Sequence, residues 1–138
     1  MKETILAISG KSGLYKLLSQ NKSVIIVESV SEQKKRTTIG MHDRITALND
    51  VSMYTTGDDV SLMDVFESIK KVKEGGIVDI DTKKATKDQL VTFMREVLPD
   101  FDEERVYPND MKKLILWYNT LITNGYTEFK DKEEKEVE

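Results

Sequence analysis

Arg105, Tyr107 and Trp117 are the residues whose types and setting best suit a contact with another molecule. Arginine and aromatic side chains dominate the energetics of binding surfaces because they combine a large contact area with directional polar groups. These three fall in and just after the segment FDEERVYPN, which leads into MKKLILWYNTLI (Met111–Ile122), the longest dense apolar run and the home of the single tryptophan. The plainer reading is structural: Arg105 pairs with a carboxylate, Tyr107 packs over a helix start and Trp117 fills a core or a domain interface.

Other chemistries fail on residue type or spacing. The chain has no cysteine, which removes disulfides, thiolate metal sites and thiol nucleophiles. His42 stands alone, so no histidine metal cluster can form. Asp79-x-Asp81 and Asp100-x-Asp102-x-Glu104 resemble the start of a calcium loop, which needs glycine at its sixth place and glutamate at its twelfth. Lys84 and Leu90 stand there in the first run, Arg105 and Met111 in the second. Asp102, Glu103 and Glu104 are possible acid/base groups, but no nucleophile, histidine or oxyanion motif lies near them in sequence. Gly10-Lys11-Ser12 resembles the end of a phosphate-binding P-loop, but the glycine required five positions earlier is Ile5. Gly10–Gly13 also fits the GXXG of a KH domain, yet that loop joins two helices and this one lies between strand-like segments. No catalytic, cofactor-binding or metal-ligating residue is assigned, and no cofactor is expected.

Charge is divided unevenly. Residues 1–56 carry eight Lys/Arg against five Asp/Glu, and residues 57–138 carry thirteen against twenty. The mildly basic front allows an alternative, nucleic-acid contact through Lys11, Tyr15, Lys16, Lys34, Lys35 and Arg36.

The elements that would position these residues form two modules. Residues 1–57 read as five short strands: Thr4–Ile8, Leu14–Ser19, Val24–Val30, Lys35–Ile39 and Val51–Tyr54. With a helical turn near Ile45 and Leu48, they fit an SH3-like small β-barrel, an OB-like barrel being the nearest competitor. Residues 58–126 read as a helical module. A helix near 61–73 opens on Ser61 with Asp64 and ends at Gly75-Gly76. Another, near 86–98, opens on Thr86 with Gln89 and stops before Pro99. A third, near 109–124, starts at Asn109 and ends at Gly125. Met111, Leu114, Ile115, Tyr118, Leu121 and Ile122 form the stripe of this last helix, while Leu116 and Trp117 lie off it. We expect those two to meet the barrel. Residues 127–138 read as a charged disordered tail.

No apolar run reaches the length of a membrane span, and MKETILAISG lacks the form of a signal peptide, so the expected location is cytoplasmic. The stretches ISGKSGLYKL and LPDFDEERVYPNDMKKLILWYN, with VIIVES and DVSMYT, resemble a domain-of-unknown-function family of uncharacterised Bacteroidetes proteins over about residues 1–125. The resemblance implies a small bacterial cytoplasmic protein with no assigned activity, and it carries over no functional residues.

The expectation is an α+β protein, an SH3-like barrel packed against three helices, acting as a non-catalytic binding or interaction module. Its partner is unknown and could be another protein or a second copy. The alternatives are nucleic-acid binding through the barrel and a homodimeric scaffold through the Trp117 helix.

Overall fold

Alternating, β-branched segments build strands in the first half of the chain. The computed structural model describes residues 3–10, 13–40 and 43–129. Lys11, His42 and residues 130–138, most of the expected tail, lie outside these described residues. Strands β1 (Ile5–Ile8), β2 (Tyr15–Gln20), β3 (Val24–Ser29), β4 (Arg36–Gly40) and β5 (Ile45–Ala47) form one antiparallel sheet in the order β4-β3-β2-β1-β5. Four of the five expected strands are therefore in this sheet, and the remaining one, Val51–Tyr54, forms a strand at Ser52–Met53 outside it. The fifth sheet strand is not Val51–Tyr54 but Ile45–Ala47, which pairs Ala7 with Thr46.

The sheet does not close. Among the described residues β4 and β5 are its edges, and no pairing joins them, so the expected closed barrel is replaced by an open, curled sheet. One face carries Leu6, Ile8, Ile25, Val27 and Ile39, all buried, in a cluster made only of strand residues. The sheet must bend over this face to shield it, and the β-bulge between Leu17 and Ser19 strengthens such a bend. On the other face Ile5 and Ala7 meet the helices.

A 3-10 turn at Leu48–Asp50 leads out of the sheet. Asn49 anchors it: its side-chain oxygen accepts from the Ile5 amide at 3.3 Å, and its Nδ2 donates to the Glu3 carbonyl. Strand β6 (Ser52–Met53) then pairs with β7 (Val60–Ser61), and β7 runs directly into helix α1 (Leu62–Val72). The expected boundary at 57/58 is thus a hairpin loop tied to the helical side. Buried Thr55 donates to the Asp58 carbonyl and accepts from the Gly57 amide, while Thr56 and Tyr54 bond the 100–102 backbone.

Each helix starts where its local chemistry requires. Ser61 caps α1 by accepting from the Asp64 amide. Thr86 and Gln89 form a complete capping box on α2 (Lys87–Val97). Helix α3 (Pro108–Thr123) begins one residue before the expected Asn109. Pro108 takes the first helical position, where a missing N–H costs nothing, and the Asp110 carboxylate accepts from the Tyr107 amide at 3.1 Å. At its end the Gly125 amide reaches the Ile122 carbonyl and the Tyr126 amide reaches the Leu121 carbonyl, a Schellman closure around a glycine with φ of 88°.

One continuous core joins the two halves: Ile5, Leu14, Val30 and Leu48 from the sheet side pack with Phe66, Phe93, Leu114 and Tyr118. Phe129 belongs to it, fully buried, its ring 5.2 Å from that of Phe66 and 6.0 Å from that of Tyr118. The expected tail therefore cannot begin at 127. Glu67 accepts from the Phe129 amide and Lys70 donates to the Thr127 carbonyl, so α1 holds these residues in place. No helix among the described residues is long and apolar enough to cross a membrane.

Candidate ligand-binding groove

Trp117 occupies the seam between sheet and helices. It is half-buried, packs against the core and lines two adjoining clefts along α3. One, of about 270 Å³, has an apolar lining that includes Val51, Met53, Leu62, Val106 and Leu114. The other, of about 480 Å³, is bounded by the Ser9–Gly10 end of β1, Gly13, Arg44 and Thr46. Thr46, Lys113 and Trp117 line both, so the two form one groove with a shared waist.

Helix and strand geometry put these residues together. Lys113 and Trp117 are four apart on α3 and so lie on one face. Arg44 and Thr46 arrive from the other direction, because β5 pairs along β1 and the Ser9 amide donates to the Arg44 carbonyl at 2.9 Å. Among the described residues neither Arg44 nor Lys113 forms an ion pair, and the Trp117 indole N–H makes no hydrogen bond. Asp110 is the carboxylate lining the groove, and its Oδ2 accepts from the Tyr107 amide. No group of three or more possible metal-ligating side chains occurs among the described residues.

The other two expected contact residues lie apart from the groove wall. Arg105 makes an ion pair to Asp102 at 2.8 Å, donates to the Thr55 carbonyl at 3.1 Å, and sits over the Tyr54 ring at 4.5 Å. Its guanidinium holds the Asp102 carboxyl below the usual carboxylate range. Arg105 thus braces Tyr54, which lines the apolar end. Tyr107 is 62% exposed and lines neither cleft. Of the off-stripe pair on α3, both expected to meet the barrel, Trp117 packs against the shared core and lines a cleft together with Ala7 and Ile8 of the open sheet. Leu116 instead is 51% exposed.

The described residues of the nucleic-acid alternative do not gather on one surface. Lys16 and Arg36 flank Glu28 in register across β2, β3 and β4, so a carboxylate stands between the two cations. Tyr15 points to the opposite sheet face, packed against the Leu6 cluster. Lys34 and Lys35 lie in the β3–β4 turn, Lys34 with φ of 46°.

Sequence reasoning missed Lys113, Arg44 and Thr46. The spacing of Lys113 to Trp117 was a legible signal for the first. Nothing local marked Arg44 and Thr46, since their segment reads as irregular.

Fold and groove define a class: an open antiparallel sheet and three helices share one core and leave a cleft at their seam. Two family models divide the chain. Residues 51–121 match a Domain of unknown function (DUF6852), and residues 3–48 match a Domain of unknown function (DUF5606). The solution NMR structure of a structural-genomics target from Bacteroides vulgatus is 49% identical, with a TM-score of 0.79, over 94% of this chain and 91% of that one. The chain belongs to this domain-of-unknown-function family, as its idiosyncratic stretches imply. No curated protein matches it. The two matched segments meet at the 3-10 turn, not at the expected 57/58.

Proposed function

We propose that this is a non-catalytic binding protein whose site is the groove around Trp117. The observation that carries the reading is a half-buried tryptophan, with no partner for its indole N–H among the described residues, at the waist of a cleft between two packed layers. Ligand sites favour such seams, where an apolar wall and a few convergent polar groups coexist. The finer fold reading belongs to the same proposal: a four-strand meander, a fifth strand crossing back beside β1 and a 3-10 turn after it make an SH3-like arrangement left open between β4 and β5. A cytoplasmic setting does as well. Nucleic-acid contact has less support, because Glu28 separates Lys16 from Arg36 and Tyr15 lies on the other face. The homodimer reading rests on the exposed Leu116 alone.

Amide chemical-shift mapping against a metabolite extract of a bacterial lysate tests the proposal. We expect perturbations confined to Ala7, Thr46, Lys113 and the Trp117 indole. Shifts clustered elsewhere, or turnover of an extract component, would discard it.

A further inference from the structure

We infer that the groove takes an amphipathic anion: a ligand with a phosphate or carboxylate head and an apolar body about the size of a short acyl chain. This rests on the groove being the binding site and adds the chemistry of what enters it.

The two ends of the groove differ in kind. At one end Val51, Met53, Leu62, Val106 and Leu114 offer an apolar wall with Trp117 beside them, suited to desolvating hydrocarbon. At the other end the charged lining is purely cationic, Arg44 and Lys113, with the hydroxyls of Ser9 and Thr46 alongside. Most of this end is built from residues 1–56, the basic part of the chain, with eight Lys/Arg against five Asp/Glu. Two cations without ion-pair partners among the described residues, facing one cleft, complement a negative group. Gly10 and Gly13, at φ of 83° and 81°, line the same end, and apart from their chain neighbours no atom of a described residue lies within 4 Å of where a Cβ would stand at either. That open backbone leaves room for a head group beside the cations. The one carboxylate on the wall, Asp110, lines the apolar cleft only and is engaged by the Tyr107 amide.

A phosphate and a carboxylate share the required chemistry, so both are tested. Trp117, the only tryptophan, reports directly from the waist. The full chain is titrated with octyl phosphate, octanoate, octanol and octylammonium, each below its micellar range, while Trp117 emission is followed. We expect saturable shifts with one or both anions and affinities about tenfold weaker for octanol and octylammonium. The doubly substituted R44Q/K113Q variant should lose about five- to tenfold for the anions and nothing for octanol, two exposed charge contacts being worth that much. Both side chains are exposed, so the variant should melt with the parent, which a thermal scan checks. Octanol binding as tightly as the anions, or an unchanged R44Q/K113Q titration, overturns the inference and leaves the groove as an apolar site. Silence of Trp117 toward all four probes overturns both the inference and the binding reading.

Discussion

Removing the Phe129 ring would open a hole between Phe66 and Tyr118 that neither neighbour can fill without moving. Truncating a buried phenylalanine to alanine costs about 3–5 kcal/mol through lost transfer energy plus the residual cavity. We expect Phe129→Ala to lower the urea midpoint accordingly, whereas a solvated tail beginning at 127 would give no change. A midpoint equal to that of the parent would mean that Phe129 does not sit in the core. Tyr118 is held in the same cluster by its hydroxyl, which donates to the Gly76 carbonyl at 2.8 Å, and burial with Glu67 nearby keeps the phenol above its usual pKa. Beside it Asn119 uses both ends of its amide on Val78, accepting from the backbone N–H at 2.7 Å and donating to the carbonyl at 3.0 Å. A single side chain therefore supplies the ladder bonds that a neighbouring strand would give, which is how Val78 is buried without joining a sheet while Ile77 and Asp79 beside it stay exposed.

The helices end less uniformly than they begin. After α1 the residue that turns left-handed is Glu74, φ of 53°, ahead of Gly75. Its amide reaches the Lys71 carbonyl and the Gly75 amide reaches that of Lys70, so a glutamate occupies the place that glycine fills after α3. An L-residue there costs about 1–2 kcal/mol, partly offset by the chain entropy that glycine would lose. Glu74→Gly should therefore stabilise by about 0.5–1 kcal/mol, and Gly125→Ala should destabilise by a similar amount, both read from denaturant midpoints. Equal signs for the two substitutions would refute this account. The helices were legible in the sequence because their determinants are local: Ser61, Thr86 and Gly125 act within one turn, and the stripe of α3 repeats at its own period. The third helix start was misplaced by one residue because Asn109 is a good cap by type, while Pro108 and Asp110 decide the site together. Strand β5 escaped notice because three residues, Ile-Thr-Ala, carry too little alternation. Its place depends on pairing with Ala7, nearly forty residues away. The groove inherits that limit. Trp117 and Lys113 could be read from spacing, whereas Arg44 and Thr46 needed the sheet.

For the whole molecule, the shared core decides what unfolds together. Ile5, Leu14, Val30 and Leu48 cover the helices, and the helices in turn cover one sheet face. The two family-matched segments should therefore melt as one unit, with Trp117 fluorescence and far-UV circular dichroism tracing coincident denaturant transitions. A fragment of residues 58–138 should lack a cooperative transition, since it exposes the surface those four residues bury. Separate transitions would instead mark two autonomous domains. The open sheet has a colloidal side. A closed barrel has no free rims, but this sheet has two, each a row of amides and carbonyls able to recruit a strand from a neighbouring molecule. One rim, β5, is only three residues long. The other, β4, opens with Arg36 just after the Lys34-Lys35 turn. Short edges and edge cations are two of the means by which soluble sheets resist pairing edge to edge into aggregates. Lys34, Lys35 and Arg36, three of the cations that at first suggested a nucleic-acid contact, thus stand where they would keep a second copy of the sheet away.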